Sequence, residues 1–351
     1  MKKFGVFSGF LGSGKTTTLM ALTRWCTAHQ VPAAMISNDL GRQSLADNKL
    51  AKLAGCNASE LTGSCICYMT QTLVERLDGL FREGCQLVLS DIPGFGVGAL
   101  DHVYHTLETD YPGRYALAPF TVLVEPQTLA LLQKGTAGDV CYIFHAQLLE
   151  ADLIVLNKQD LLTPEQCRLA LAWLRRAYPQ AQVLAISAQT GAGIPELCQA
   201  LLDGTTSLRK PELGYGGEAF CQAMGQFSEV YLQYYASVCC NSFDGNAYLH
   251  ALAQTIAEKL REGGWDIPHL KLLAWEPEGD YAKVDLLGVH RPPEQSKAFP
   301  RPCTELAVML NGSALCPSHT LDAIVTQAVA QVSPVFDLSC IPFQKECFGM
   351  A

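Results

Sequence analysis

Three stretches of the chain hold residues whose types and spacing could do chemistry. The first is "GFLGSGKT", Gly9 to Thr16, which fits G-x-x-x-x-G-K-[ST] without a mismatch. It follows an apolar run that reads as a strand and opens a stretch with helical spacing, the context this pattern requires. Gly9, Gly12 and Gly14 let the backbone wrap closely around phosphate, so that N–H groups and a helix N-terminus can solvate it. Lys15 supplies a point charge to the β- and γ-phosphates, and the Thr16 hydroxyl is a ligand for Mg²⁺. Ser13 and Thr17 complete the expected phosphate-binding set.

The second stretch is a pair of strand ends. "DIPG", Asp91 to Gly94, closes the apolar run "QLVLSDI". A carboxylate there can hold Mg²⁺, directly or through water, and the Gly94 N–H can meet a γ-phosphate and move when it leaves. "LIVLNKQD" ends in Asn157, Lys158, Gln159 and Asp160. An aspartate so placed accepts from the N1 and N2 donors of guanine, and the wrong base would leave buried polar groups unpaired. The Lys158 stem can lie along the base. Downstream, "ISAQTGAG" puts Ser187 and Ala188 where a backbone N–H can reach guanine O6. The order of these patterns predicts GTP as the nucleotide, with Asn157 and Asp160 reading the base.

The third is "TGSCICYMT", with Cys65 and Cys67 one residue apart. In an extended segment they face the same way and leave Ile66 to pack on the other side. Two thiolates suit Zn²⁺, Co²⁺ or Cu⁺. A closed zinc site usually takes four ligands, so Cys56, Tyr68 or a second protein would have to add to the pair. His102 and His105 are further candidates, although they read first as a solvated helix face.

Around these stretches, "FGVF", "AAMIS", "QLVLSDI", "FTVLV", "DLIVLN" and "QVLAIS" are apolar nearly end to end and alternate with helical segments. That pattern predicts an α/β fold with a doubly wound, mostly parallel sheet of the P-loop NTPase type. Ligands of such sheets sit at the carboxyl ends of the strands, where all three stretches fall. The opening "MKKFGVF" reads as a buried first strand rather than a leader, because "KTTT" follows where a cleavage site would stand. The expected organisation is a GTPase domain over 1–205, a Gly/Thr/Pro-rich linker over 206–218, a smaller α+β domain over 219–335 in the order β-α-β-β-β-α, and a polar, mobile tail over 336–351. That tail carries Cys340 and Cys347, a weaker metal candidate, and Cys239 and Cys240 read as packing.

With 49% hydrophobic and 17% charged residues the chain is ordinary globular material. A net charge of −9 without a basic run argues against nucleic acid or anionic membrane as partner. No window approaches the roughly 20 apolar residues of a membrane span. The 15 cysteines lack a disulfide framework, and those in apolar segments read as small core hydrophobes of a reduced, cytoplasmic protein.

The whole resembles the CobW-like GTPases, relatives of the nickel-insertion GTPases of urease and hydrogenase. The resemblance rests on "GFLGSGKTT", "NDLG" (Asn38 to Gly41), "ELTGSCICY" (Glu60 to Tyr68) and "ADLIVLNKQD" (Ala151 to Asp160), and spans residue 4 to about 205. It implies a metallochaperone-type GTPase with Cys65 and Cys67 on a transition metal, zinc or cobalt, and Asp39 and Asp91 as switch carboxylates. The chain departs from the family pattern at four places. Tyr68 stands for the third cysteine, Ser64 for a glycine, Asp39 for a glutamate, and Asp91 to Gly94 for E-x-x-G. Phe95 follows Gly94 where a water-orienting glutamine could stand, so slow hydrolysis is expected unless a partner or a homodimer completes the site. The expected client is a metalloprotein or a corrinoid protein. Two rival readings are a GTPase switch that remodels a corrinoid or other cofactor-dependent enzyme without carrying metal, and a small-molecule P-loop kinase. "NKQD" and the lack of an arginine-rich lid speak against the kinase.

Overall fold

A computed structural model describes residues 2–42, 46–135, 140–214, 216–239, 241–277 and 279–350. The chain divides into two compact units, Met1–Ala223 and Met224–Ala351.

In the first unit the apolar runs become strands buried on both faces. In chain order it holds β1 (Lys3–Ser8), α1 (Lys15–Ala28), β2 (Ala33–Asp39), α2 (Ala46–Leu53), β3 (Ala58–Thr62) and α3 (Thr70–Arg82). It continues with β4 (Leu87–Asp91), α4 (Thr106–Asp110), β5 (Ala116–Leu117), β6 (Thr121–Val124), α5 (Pro126–Lys134) and α6 (Cys141–Glu150). Then follow β7 (Leu153–Leu156), α7 (Pro164–Ala177), β8 (Gln182–Ala185) and α8 (Ile194–Asp203), and α9 (Glu218–Met224) leads out of the unit.

The strands form one sheet in the order β3-β2-β4-β1-β6-β7-β8, with two-residue β5 beside β1, and every pairing is parallel. Strand order reverses about β1, so the loop after β1 opens at the topological switch point of a doubly wound sheet. Lys3, the first residue of β1, is buried, and its Nζ donates to the Leu202 and Gly204 carbonyls, 2.6 Å to each, at the end of α8. Thiols fill small spaces as expected at Cys26, Cys85 and Cys198, whereas Cys141 and Cys167 are only half-buried.

The stretch expected to be a linker is strapped to this unit over its first half. Thr206 N–H donates to the Leu117 carbonyl at 3.3 Å, and Ser207 N–H to Asp152 Oδ1 at 3.2 Å. Arg209 Nη2 reaches the Ala151 carbonyl at 2.6 Å. Gly, Thr and Pro here signal irregular backbone, which side chains can still fix in place.

The second unit holds β9 (Ser228–Ser237), α10 (Gly245–Glu262), β10 (Asp266–Trp275), β11 (Tyr281–Leu286), β12 (Glu294–Lys297), β13 (Glu305–Leu315), α11 (Ser318–Val332) and β14 (Ser339–Gly349). Its sheet runs β12-β11-β10-β13-β9-β14 and is antiparallel throughout. Leu252 and Ile256 of α10 and Leu321 and Val325 of α11 pack into one core with Val230, Leu232, Leu272 and Val308 of the strands. Asp244 caps α10 by accepting from Asn246 and Ala247 N–H, a contribution of about 1 kcal/mol.

The expected mobile tail is corrected here: residues 339–349 are β14, registered against β9 from Ser339↔Ser237 to Gly349↔Ser228. Pro342 and Lys345 hid it, because they suit an edge strand and spoil the period that marks an interior one. Cys340 and Cys347 lie along that strand with separate partners, Ser333 Oγ at 3.1 Å and the Ser318 carbonyl at 3.1 Å. Cys239 is exposed, not packed, and Cys240 lies outside the described residues.

Candidate functional site

The phosphate loop joins β1 to α1. Gly9, Gly12 and Gly14 take positive φ of 132°, 78° and 90°, which side-chained residues adopt only at a cost. Space excludes side chains too. A Cβ on Gly9 would stand 2.4 Å from the Leu123 carbonyl oxygen, and one on Gly14 would stand 2.3 Å from Asn157 Nδ2. Lys15 Nζ rests on the loop's own carbonyls, 2.6 Å from Gly9 O and 3.5 Å from Phe10 O. Ser13 Oγ is buried with no hydrogen-bond partner among the described residues. α1 carries no side-chain cap and no acid in its first turn, where Thr16 and Thr17 stand half-buried. Its N-terminal field is left for an anion.

Beside the loop, β4 ends in Asp91, only 4% exposed. Burial pushes its carboxyl up to about 7, helped by Asp47 and Asp39 and opposed by the Asn38 N–H and by Lys15. Asp39, half-exposed at the end of β2, accepts the Leu40 N–H at 2.8 Å. Asp47 on α2 was not singled out in the sequence, since one acid in a polar helix turn carries no signal. Gly94 lies under the phosphate loop: a Cβ there would stand 2.5 Å from Leu11 Cδ2 and 2.9 Å from the Leu11 nitrogen. Phe95 is buried and offers no polar group to a water.

The strand ends that the sequence assigns to the base lie side by side, and Asn157 joins them to the phosphate loop. Asn157 is buried; its Nδ2 donates to the Ser13 carbonyl at 2.9 Å and its Oδ1 accepts from Ala188 N–H at 3.1 Å. Ser187 N–H donates to the Ala192 carbonyl, and Ser187 Oγ accepts from Thr190 N–H. Asn157 therefore binds the phosphate loop to the loop after β8, and the Ser187 and Ala188 N–H groups, one of them expected to reach guanine O6, are both committed inside the protein. Asp160 stays exposed on a 3₁₀ turn, Gln159–Leu161, entered through Lys158 at φ 60°. Gln159 N–H ties that turn to the Ile186 carbonyl at 3.0 Å.

The thiol pair follows β3, at the same carboxyl edge of the sheet. A 3₁₀ turn, Ile66–Tyr68, bends the backbone that the sequence read as extended. The two Sγ atoms still meet, 2.9 Å apart, and Cys67 N–H points at Cys65 Sγ from 3.4 Å. Hydrogen bonding to Cys67 draws the Cys65 thiol below its ordinary range, and the same bond together with burial pushes Cys67 well up. Among the described residues no group of three or more His, Cys, Asp or Glu is placed to share a metal ion. Cys56 is spent on packing, with its Sγ 3.9 Å from the Met20 carbonyl. Tyr68 is 63% exposed, its ring 6.1 Å from that of His102.

Three residues without a role of their own in the sequence patterns hold this region together. Asn38, 4% exposed, donates its N–H to Asp91 Oδ1 at 2.8 Å and spends its carboxamide on the thiol loop. Gln147 of α6 donates to the Gly94 and Gly96 carbonyls, 3.0 Å to each. Glu150, 1% exposed, accepts from the Gly98 and Leu100 N–H groups. Beyond that clasp lies a π-helical turn, Leu100–His105, on which Asp101 is exposed and His102 and His105 are half-exposed. Its Tyr104 OH accepts the Val6 N–H at 2.8 Å inside the sheet, and His105 Nε2 is buried. π-turns of this kind recur at functional sites.

Residues 4–185 match the CobW/HypB/UreG nucleotide-binding domain. The chain belongs to the CobW/HypB/UreG family. YeiR, a zinc chaperone of Escherichia coli K12, is 29% identical over 177 residues, which cover 49% of this chain and 51% of YeiR. The chain thus spans about half the length of that curated relative. Two solved structures are similar at lower identity. The Zn(II)-bound YjiA GTPase of E. coli shares 16% identity over 94% of this chain and 98% of its own, with a TM-score of 0.36. HypB of Helicobacter pylori in complex with nickel shares 18% over 57% and 85%, with a TM-score of 0.42. In this CobW/HypB/UreG chain the parallel sheet carries the nucleotide-binding pattern, and no described helix is long and apolar enough to cross a membrane.

Proposed function

We propose that this protein is a cytoplasmic GTPase that couples GTP binding and slow hydrolysis to the delivery of a transition-metal ion, or of a metallocofactor, to a client protein. One observation carries the reading: the metal-type thiol pair leaves the sheet at the same carboxyl edge as the phosphate loop, one strand beyond Asp39.

In this reading Gly9, Gly12, Ser13, Gly14, Lys15 and Thr17 cradle the phosphates, and the fit rests on a loop that side chains would fill and on the Ser13 hydroxyl, buried without a partner among the described residues. Thr16, Asp39 and Asp91 would hold Mg²⁺, which supplies charge neutralisation between the β- and γ-phosphates. Gly94 offers its N–H to the γ-phosphate. Asp160 accepts from guanine, with Lys158 along the base; Asn157, Ser187 and Ala188 act by holding the base and phosphate loops in register. Cys65 and Cys67 carry the ion as cargo, and an open two-thiol site suits transient handover better than storage. Likeness to a zinc chaperone makes zinc the first ion to try. The described cysteines, free of disulfides, fit a reducing cytoplasm.

A second reading drops the cargo. It is favoured by the missing third ligand and by Tyr68 in its place, and it makes the protein a GTP-driven remodeller of a cofactor-dependent enzyme.

Titration of Zn²⁺ and Co²⁺ into reduced protein, with and without a non-hydrolysable GTP analogue, separates the two. Thiolate-to-cobalt absorption that vanishes in the C65S/C67S double variant supports cargo. No cysteine-dependent binding in either nucleotide state, with GTP still bound, overturns cargo and leaves the remodeller.

A further inference from the structure

We propose that Asn38 is the positioning residue through which the nucleotide-side carboxylate Asp91 sets the geometry of the Cys65/Cys67 pair. The proposal rests on the reading of Lys15, Thr16 and Asp91 as a phosphate and Mg²⁺ site.

The β2–β4 ladder ends at Ile36↔Ser90. One step further, the Asp91 side chain takes over: its Oδ1 accepts the Asn38 N–H at 2.8 Å. On the other side of β2 the ladder to β3 continues through Asn38↔Leu61 and Asp39↔Thr62. Asn38 thus has a carboxylate on one flank and the strand feeding the thiols on the other.

Its side chain spans the rest of the distance. Nδ2 donates to the Leu61 carbonyl at 3.0 Å and to the Ser64 carbonyl at 2.8 Å, and Oδ1 accepts from Ile66 N–H at 2.9 Å. Ser64 precedes Cys65, and Ile66 stands between the two cysteines with its side chain fully buried. One carboxamide therefore pins the backbone on both sides of Cys65 and sets how the two sulfurs face each other. Two N–H donors and one acceptor on a stem this short are found only in asparagine. Aspartate would turn lone pairs on two carbonyls, and serine is too short to reach three partners. When the Asp91 carboxylate turns toward the nucleotide, the Asn38 N–H loses or shifts its acceptor, and the loop bonded to that residue's other end must follow.

The test measures alkylation of Cys65 and Cys67 by iodoacetamide, read by peptide mass spectrometry on full-length reduced protein, without nucleotide and at saturating Mg²⁺ and non-hydrolysable GTP analogue. The expected ratio of the two rates in wild type departs from one by about fivefold or more, the low end of ordinary coupling between sites. Asn38→Ser and Asn38→Asp are expected to bring that ratio close to one. A purely structural role would change both rates together and leave the ratio alone. Hydrogen exchange of the wild-type peptide over residues 61–68 needs no variant to fold, and nucleotide is expected to change its protection together with that of residues 37–40. An unchanged ratio in the variants, or unchanged exchange in nucleotide-bound wild type, overturns the role of Asn38 and leaves the nucleotide reading standing. Wild type that binds no Mg²⁺–nucleotide in a direct titration overturns that reading, and this proposal with it.

Discussion

Asn157 and Gly14 are built against each other: the asparagine amide occupies the space in which a Cβ on the glycine would lie, 2.3 Å from it. The contact lets Asn157 Nδ2 reach the Ser13 carbonyl at 2.9 Å, so a hydrogen bond ties the end of β7 to the phosphate loop. Gly14→Ala should therefore fail twice, through its φ of 90° and through this collision. A cost of about 1–3 kcal/mol is expected in urea unfolding, with a clear loss of GTP-analogue affinity by fluorescence titration. Gly55 is the control, with φ 76° but nothing within 4 Å of its Cβ. Gly55→Ala should cost about 1 kcal/mol and leave nucleotide affinity as it was.

In the proposed GTPase reading, with Asn157 spent inside the protein, discrimination between bases falls to Asp160. Its carboxylate offers only acceptors, which match the N1–H and N2–H donors of guanine. Xanthine has a carbonyl in place of the N2 amine, so Asp160→Asn should lose GTP by about a hundredfold or more and gain xanthosine triphosphate. Competition titrations with the two nucleotides measure the exchange. Equal loss of both would show that Asp160 supports the turn rather than reading the base.

The parts legible in the sequence are those whose backbone demands are local. A phosphate loop needs glycines at fixed offsets between a strand and a helix, and buried parallel strands need continuous apolar runs, so both can be read from one chain. The ties between these parts were not legible. Asn38 stands in "NDLG" with no role of its own until Asp91, Leu61, Ser64 and Ile66 surround it, because its partners come from two distant segments, the end of β4 and the run from β3 into the thiol loop. Gln147 and Glu150 sit on an apolar helix, "CYIFHAQLLE", where two buried polar side chains give no periodic signal. β3 escaped for a related reason, since "ASELT" has neither alternation nor an apolar run, only a neighbour in β2 to pair with.

β14 offers a check on the second unit. It covers the edge of β9 over ten registered positions, from Ser339 to Gly349, and carries Tyr235–Phe343 and Tyr231–Phe348 ring stacks with centroids 4.7 and 6.1 Å apart. A chain stopped after Leu338 should bare β9 as an open edge with aromatic residues on it. Lower solubility and an earlier unfolding transition of this unit are expected, checked by light scattering and calorimetry. Nucleotide affinity should survive, because the phosphate loop lies in the other unit. Loss of nucleotide binding in a still-folded truncation would contradict that independence.

Glu150 makes the clasp on the loop after Asp91 sensitive to pH. Burial pushes its carboxyl from 4.5 up to about 7, with Asp101 and Asp152 adding to the rise and the Leu100 and Gly98 N–H groups opposing it. Between those values the folded protein keeps a proton that the unfolded chain has released. The contribution of this group to stability is then full below about 4.5, falls as pH rises through the window, and is flat above about 7. Glu150→Gln cannot titrate, so the stability of wild type relative to this variant should decline from roughly pH 5 to pH 8, by on the order of 3 kcal/mol. Asp91 titrates over the same range in both proteins and cancels in the difference. Urea unfolding at several pH values gives the two curves. Parallel curves would mean that Glu150 is already ionised in the folded protein, its two N–H bonds outweighing burial, and that the clasp keeps its strength across neutral pH.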